Sequence, residues 1–363
     1  MTTPSPPLAR WVRRDVGTKA WVAFAKGLAI LLVVLYHTMI YFSSEGVWGL
    51  PGRLKVILDL FPMPVFMLLA GLFAPRSLTW SFADLWRRRI LPIAYLYVLW
   101  SLFRFAFFFA FPDLNAHIGH ERSRDPWGLV EIVTGPSSIY WFLYAMLLFI
   151  VAAWLLRRVP PLVQIIPAAV LAALITSGWI TSGTVVWDRV GGLFVFYLVG
   201  LHYASRLSSF VIRSNTRQLL LAVGAFAVTG GALYVPFVAQ VPFAALVAQA
   251  AAVVAGLLAS KQLVRLRPLG FVSDLGDTSM QIYVLHLYVV AVLTFVLGLF
   301  AAPGWPVLVQ SATLFAGTAI VVVATRQLIR LTGRWKWLYI PPPSWLSSRR
   351  RTAAARPAAT DPE

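Results

Sequence analysis

Apolar stretches about as long as a lipid bilayer is thick recur along almost the whole chain, separated by short polar or basic segments. A helix needs about 20 apolar residues to cross the hydrocarbon core, so each stretch predicts one membrane-spanning helix. The predicted spans are approximately residues 20–42, 55–75, 90–111, 139–156, 163–180, 189–203, 218–235, 242–259, 280–301 and 306–329. We therefore predict an all-α integral membrane protein with about ten transmembrane helices.

The composition supports a membrane protein and excludes a soluble one. Hydrophobic residues make up 59% of the 363 residues and charged residues only 12%, with a mean hydropathy of +0.76. Soluble domains carry about 25% charged residues. The chain contains no cysteine, which excludes disulfides, thiolate metal sites and cysteine nucleophiles.

The net charge of +18 is distributed unevenly over the predicted topology. With a cytoplasmic amino terminus and ten spans, 24 of the 31 Lys and Arg residues fall on the cytoplasmic side and five on the opposite side. This distribution follows the positive-inside rule, and it holds only for an even number of spans. We predict that both termini are cytoplasmic and that the positive charge sets the topology and does not bind nucleic acid.

The apolar pattern also predicts the domain organisation. Residues 1–19 and 341–363 are rich in Pro, Ala, Ser and Arg and have no apolar periodicity, which is typical of disordered tails. The chain shows no internal repeat and no segment that resembles a soluble catalytic domain. We predict one membrane domain over residues 20–340, flanked by two disordered cytoplasmic tails.

The longest predicted external loop, residues 112–138, contains residue types that bind metal ions. These residues are His117, His120 and Glu121. No helix or hairpin pattern fixes their relative geometry, so we predict a solvated loop and no metal site.

Lys26 and His37 are the most informative residues of the chain, because both lie within the first apolar span, 11 positions apart. At about 100° per residue this spacing places both side chains on one face of a helix, about 16 Å apart along its axis. Ionisable side chains within hydrocarbon are costly and usually mark a functional path. The alternative is a lysine that extends to the interface and a histidine that only joins two helices by a hydrogen bond.

Two further charges lie within predicted spans. Asp59 precedes a break that Pro62 and Pro64 introduce into the second span, and a broken backbone is tolerated where it faces protein or a cavity. Asp59 is therefore a candidate substrate ligand, or alternatively an interfacial carboxylate in contact with water. Arg104 in the third span is a candidate partner for Asp59.

The third span begins with three consecutive arginines, Arg87, Arg88 and Arg89, at the predicted cytoplasmic face. Arginine binds phosphate through paired hydrogen bonds, so the cluster is a candidate site for a phosphorylated ligand, although topogenic arginines are also common here. The fourth span begins with an aromatic cluster that includes Trp141 and Tyr144. These rings suit either a wall for stacking a sugar or an interfacial aromatic belt.

The ninth span carries a polar stripe made of Ser279, Tyr283 and His286. The residues stand at positions i, i+4 and i+7, so they share one face of a helix. A second histidine within the membrane favours one internal site to which several spans contribute.

Four ordered segments resemble motifs of the membrane-bound acyltransferase-3 family, and the Lys26-Gly27 version is closest to its fucose 4-O-acetylase-like branch. Residues 25–37 are similar to the family's signature of Arg or Lys, ten residues and His. Residues 63–71 are similar to its segment MPLFFFISG, residues 140–145 to WFLxAL, and residues 275–286 to GxxSLxIYLLH.

This resemblance implies a multi-pass enzyme of a bacterial inner or plasma membrane, surrounded by membrane lipid. Such an enzyme moves an acyl group, usually acetyl, from cytoplasmic acyl-CoA to a hydroxyl of a cell-envelope carbohydrate or glycolipid. It belongs to the acyltransferases of groups other than amino-acyl groups. Acyl-CoA, usually acetyl-CoA, is then a substrate, and we expect no tightly bound cofactor.

The resemblance also suggests roles for the candidate residues. His37 matches the family's essential histidine and would act as the general base, with His286 as a second catalytic residue. Lys26 and the arginines 87–89 would hold CoA phosphates, and Trp86 stands where an RxxR pattern has its first arginine, so the contacting arginine stays open. The acceptor would be bound by Asp59, Trp141, Tyr144, Ser279 and Tyr283.

Two other functions remain open from the sequence. One is a transporter or flippase for a glycan or lipid precursor, with Lys26, His37 and Arg104 along its path. The absence of an internal repeat argues mildly against this alternative. The other is an inactive acyltransferase-like scaffold.

Overall fold

The computed structural model describes residues 17–48, 51–115, 125, 127–134, 139–300 and 305–346. These residues form helices and turns and contain no β-strand. The predicted all-α fold is therefore confirmed. Most of the predicted tails lies outside these ranges, although the first helix begins at Thr18.

Seventeen α-helices follow one another in the described part of the chain. The first nine are α1 (Thr18–Ser44), α2 (Pro51–Leu60), α3 (Pro62–Leu72), α4 (Phe82–Leu85), α5 (Leu91–Ala110), α6 (Trp127–Thr134), α7 (Trp141–Leu155), α8 (Pro161–Thr176) and α9 (Val185–His202). The others are α10 (Ala204–Arg213), α11 (Thr216–Ala232), α12 (Pro236–Ala239), α13 (Ala244–Leu263), α14 (Gly270–Asp277), α15 (Ser279–Gly298), α16 (Val307–Thr332) and α17 (Pro343–Leu346).

Eight helical segments in the described residues are long and apolar enough to cross a bilayer, which supports the predicted integral membrane protein. Two of the predicted spans, 163–180 and 218–235, coincide with the shorter helices α8 and α11, which have 16 and 17 residues. The number of ten spans and the cytoplasmic termini therefore stay predictions.

The proline-induced break in the second span is confirmed. Helix α2 ends at Leu60, and Pro62 occupies the first turn of α3, where its missing N–H costs no intrahelical hydrogen bond. The same segment, Leu54–Leu72, is apolar enough to span the membrane as a unit. The interruption places Asp59 at the end of one helix, next to the start of another.

Helix α1 lies at the centre of the fold. It packs against α3, α13, α14, α15 and α16, and it is the most deeply buried of the eight long apolar segments. Because Lys26 and His37 both belong to α1, their side chains meet several other helices and not lipid alone.

Glycines bring two pairs of helices into direct backbone contact. A Cβ atom at Gly27 of α1 would lie 1.8 Å from the carbonyl oxygen of Val272 in α14, and one at Gly276 would lie 1.7 Å from that of Ala23. Small residues allow this close approach in membrane helices. The contact places α14 beside the turn of α1 that carries Lys26. Gly27 and Gly276 therefore help to position this lysine.

The second pair joins α3 to α9. A Cβ atom at Gly71 would lie 2.1 Å from the carbonyl oxygen of Tyr197, and one at Gly200 would lie 2.0 Å from that of Leu68. This contact fixes α9 along α3 and thereby determines where the first turns of α9 meet the break near Asp59.

We expect Gly276→Ala and Gly200→Ala to destabilise the protein, because the added methyl group would overlap a backbone oxygen that cannot move independently. Overpacking of this kind costs about 1–3 kcal/mol. Thermal unfolding of the purified protein in detergent measures the effect. Gly224→Ala in α11 is the matched control, since nothing lies within 4 Å of its added methyl group. Equal stability of all three variants would contradict the packing described here.

Candidate functional site

Two histidines from distant parts of the chain meet inside the helix bundle. The Nδ1 atom of His37 on α1 lies 3.4 Å from the Nε2 atom of His286 on α15, and the ring centroids are 5.1 Å apart. The side chain of His286 is fully buried, and that of His37 is partly buried. The internal site suggested by the two histidines is therefore a direct pair.

The neighbouring backbone carbonyls indicate which nitrogen of each histidine ring carries a hydrogen. The carbonyl oxygen of Val33 lies 2.9 Å from Nδ1 of His37, and that of Ile282 lies 3.0 Å from Nδ1 of His286. A carbonyl can only accept, so both Nδ1 atoms carry hydrogen. The hydrogen on Nδ1 of His37 is then shared between the Val33 carbonyl and the more distant Nε2 of His286, which leaves the lone pair on Nε2 of His37 for a substrate proton.

A small cavity lies beside this pair, and we call it the His37 cavity. It measures about 20 Å³, room for roughly one water-sized group. Its polar and aromatic lining residues are Tyr36, His37, Asp59, Trp141 and Arg189. Two predicted substrate-binding residues, Asp59 and Trp141, therefore lie next to the candidate base.

Arg189 connects the side chains of the His37 cavity, although it is not among the residues predicted from the sequence. Its guanidinium lies 3.5 Å from the Asp59 carboxylate, donates to the Tyr36 hydroxyl at 3.1 Å, and faces the ring of Trp141 at 5.3 Å. The predicted partner of Asp59 was wrong: Asp59 pairs with Arg189, whereas the Arg104 guanidinium faces the Phe108 ring at 5.5 Å. Arg189 stands at the first position of the predicted span 189–203, and only its charge next to an apolar stretch could have drawn attention to it.

A larger cavity of about 300 Å³, which we call the Lys26 cavity, lies toward the amino-terminal end of α1. Its polar lining residues are Lys26, Arg89, Asp277, Ser279 and Tyr283, and the rest of its lining is mainly apolar. Ser279 and Tyr283 were predicted to bind substrate, whereas Asp277 was not predicted. The cavity thus carries two cations, one carboxylate and a long apolar wall.

Only one of the three consecutive arginines lines the Lys26 cavity. Arg89 does so and donates a hydrogen bond to the carbonyl of Phe73. Arg88 instead pairs with Asp84 at 3.7 Å and faces the ring of Trp80, and Arg87 does not line the cavity. The arginines occupy a π-helical turn, Trp86–Ile90, in which consecutive side chains point in different directions.

Tyr144, also predicted to bind substrate, lies elsewhere. Its ring packs against Tyr97 and Trp187, with centroid distances of 5.7 and 5.8 Å, and its hydroxyl donates to the carbonyl of Val133 at 3.4 Å. It lines neither of the two cavities described above. A role for Tyr144 in substrate binding stays a prediction.

A third cavity, of about 250 Å³, lies next to the His37 cavity, and we call it the Gln249 cavity. Its polar lining residues are Asp59, Thr176, Asp188, Arg189 and Gln249. It shares Asp59 and Arg189 with the His37 cavity, and Met63 lines all three cavities. The cavities form a series that passes the histidine pair.

The loop residues that resemble metal ligands, His117, His120 and Glu121, lie outside the described residues. Within the described ranges, no group of three or more His, Cys, Asp or Glu side chains is arranged to hold a metal ion.

Comparison with protein-family models gives one match, Acyl_transf_3, described as an acyltransferase domain, over residues 19–326. The matched region covers well over half of the chain and includes both histidines of the pair and all residues named above as lining the three cavities. No curated protein and no solved structure matches the chain.

Proposed function

The chain belongs to the acyltransferase-3 family, and we propose that this multi-pass membrane acyltransferase moves an acyl group from cytoplasmic acyl-CoA to a hydroxyl of a cell-envelope carbohydrate or glycolipid. The observation that carries the proposal is the series of cavities. The Lys26 cavity and the Gln249 cavity each share at least one lining residue with the small cavity beside His37. We infer that two substrates approach His37 from these two different cavities.

The Lys26 cavity has the chemistry expected of an acyl-CoA site. Lys26 and Arg89 offer charge-assisted hydrogen bonds to phosphates, and the apolar lining suits a pantetheine arm. Lys26 and His37 stand about 16 Å apart along α1, so an extended arm held at Lys26 brings its thioester near His37. Under the predicted topology this cavity faces the cytoplasm, where acyl-CoA is present.

The histidine pair supplies acid–base catalysis. Nε2 of His37 accepts the proton of the acceptor hydroxyl while the hydroxyl oxygen attacks the carbonyl carbon of the thioester. A C–O bond forms, the C–S bond breaks, and the proton passes from His37 to the departing thiolate of CoA. Nε2 of His286 accepts from Nδ1–H of His37 throughout, which stabilises the transient positive charge of the ring.

The family resemblance implies acetyl as the usual acyl group. We therefore propose acetyl-CoA as the donor.

The transport alternative relied on Lys26, His37 and Arg104 along one path. Lys26 and His37 line cavities of the series, whereas Arg104 lines none of the three. We propose the enzyme because a transporter has no need for a hydrogen-bonded histidine pair whose outer nitrogen is left for a proton.

The experiment that tests the function compares the masses of envelope glycans from bacterial cells with and without this protein in the inner membrane. We expect glycans that carry an additional acetyl group only when the protein is present. Identical glycan masses, with the protein verified in the membrane, would contradict the proposed reaction.

A separate prediction concerns His286, which we expect to act as a positioning residue. His286→Phe removes one of the two acceptors of Nδ1–H of His37 and leaves the Val33 carbonyl, so we expect kcat to fall by about 10-fold, the cost of losing about 1.5 kcal/mol. His286→Gln keeps a side-chain oxygen and should retain much of kcat. Steady-state kinetics with acetyl-CoA measure both. Equal kcat losses for Phe and Gln would contradict this role.

A further inference from the structure

The Gln249 cavity contains one polar side chain whose hydrogen-bonding capacity is unused. The side-chain carbonyl oxygen of Gln249 is buried and has no hydrogen-bond partner among the described residues. Gln249 lies on α13, within an apolar segment long enough to span the membrane. An amide oxygen buried in an apolar segment costs free energy unless a hydrogen-bond donor pairs with it. The unpaired oxygen therefore indicates that a ligand supplies the donor.

Other polar groups of this cavity are already engaged by the protein. The Asp188 carboxylate accepts from the Thr181 hydroxyl at 2.8 Å and from the Ser182 amide at 2.7 Å. The Thr176 hydroxyl donates to the carbonyl of Ala172 at 2.7 Å. These groups stabilise the turn between α8 and α9 and the end of α8. Gln249 is therefore a lining residue of this cavity whose side-chain oxygen has no partner among the described residues.

The position of the cavity determines which substrate can reach it. Its lining residues come from the end of α8, the first turns of α9, the first two turns of α13, and Asp59 and Met63 beside the break between α2 and α3. The Lys26 cavity has only Met63 in common with it, whereas the His37 cavity shares Asp59, Met63 and Arg189. A ligand in the Gln249 cavity therefore reaches His37 past Asp59 and Arg189, and not past Lys26 and Arg89.

We propose that Gln249 binds the acyl acceptor and helps to determine its specificity, an inference that rests on the proposed function. A side-chain amide both donates and accepts hydrogen bonds, as a sugar hydroxyl does, so one glutamine can bind two neighbouring hydroxyls of a sugar ring. The volume of about 250 Å³ lies below that of pockets for drug-sized ligands, which suits a single sugar ring. The ligand class is a neutral carbohydrate, with one hydroxyl directed toward His37.

The test uses the purified full-length protein with acetyl-CoA as donor and the glycan fraction of the envelope as acceptor. Gln249→Leu has a similar volume and cannot form hydrogen bonds. We expect it to raise the acceptor KM about tenfold, with a much smaller change in the acetyl-CoA KM. Gln262→Leu is the matched control, because Gln262 lies on the same helix and does not line the cavity. Its acceptor KM should equal that of the wild type.

A third variant separates neutral from anionic acceptors. Gln249→Glu keeps one acceptor oxygen and replaces the amide NH2 with a second, so with a neutral sugar it should raise the acceptor KM less than Gln249→Leu does. A much larger effect of Glu than of Leu would indicate an anionic ligand and overturn the carbohydrate assignment. An unchanged acceptor KM in Gln249→Leu, with an active wild type, would overturn the inference alone, whereas a wild type that transfers no acetyl group would overturn the proposed function itself.

Discussion

Replacing His37 with alanine is expected to lower the kcat of acetyl transfer by about 10²- to 10⁴-fold, the range that general acid–base catalysis contributes. The reason is that Nε2 of His37 is the nitrogen whose lone pair is left free by the hydrogen bonds to Val33 and His286. The rate of CoA thiol release in the presence of the acceptor measures the effect.

His202→Ala is the matched control for this prediction. His202, the last residue of α9, is partly buried like His37. It contacts Gln164 at 3.2 Å and lines none of the three cavities. It should keep near-wild-type kcat. A His37→Ala protein that is folded and retains most of its turnover would show that His37 is not the base.

Lys26→Ala and Arg89→Ala are each expected to raise the KM for acetyl-CoA by about 10- to 150-fold, the cost of losing one charge-assisted hydrogen bond of about 1.5–3 kcal/mol. The KM for the acceptor should change much less, because both residues line only the Lys26 cavity. Lys26→Arg should be tolerated, since arginine carries the same charge and the resemblance places arginine at this position in most relatives.

The arginine cluster contains its own control. Arg88 is adjacent to Arg89 but forms a pair with Asp84 outside the Lys26 cavity. Because Arg88 does not line the Lys26 cavity and its exposed pair with Asp84 contributes little to stability, Arg88→Ala should keep the wild-type KM for acetyl-CoA. A wild-type KM for acetyl-CoA in Arg89→Ala as well would mean that these arginines only set the topology.

Helical periodicity was sufficient to predict the local part of the site. It placed Lys26 and His37 on one face of α1, and it grouped Ser279, Tyr283 and His286 on one stripe of α15. These relations hold within one helix, where the angle between side chains follows from the spacing of residues.

The contacts between helices could not be predicted in this way. His37 and His286 are 249 positions apart, and Asp59 pairs with Arg189 and not with Arg104. Such contacts depend on how helices pack, which is determined here by glycines that let backbones touch. Likewise, the sequence does not show which of the three consecutive arginines faces a cavity, and in the structure only Arg89 lines the Lys26 cavity.

The series of cavities from Lys26 to Gln249 makes the sidedness of the reaction the most direct test. Inverted membrane vesicles, with the cytoplasmic face outward and envelope glycan enclosed, would receive radiolabelled acetyl-CoA from outside. We predict labelled glycan inside these vesicles, and none in right-side-out vesicles treated with the same donor or in inverted vesicles that carry His37→Ala. Equal labelling in both vesicle orientations, or undiminished labelling with His37→Ala, would contradict transfer from cytoplasmic acetyl-CoA through His37.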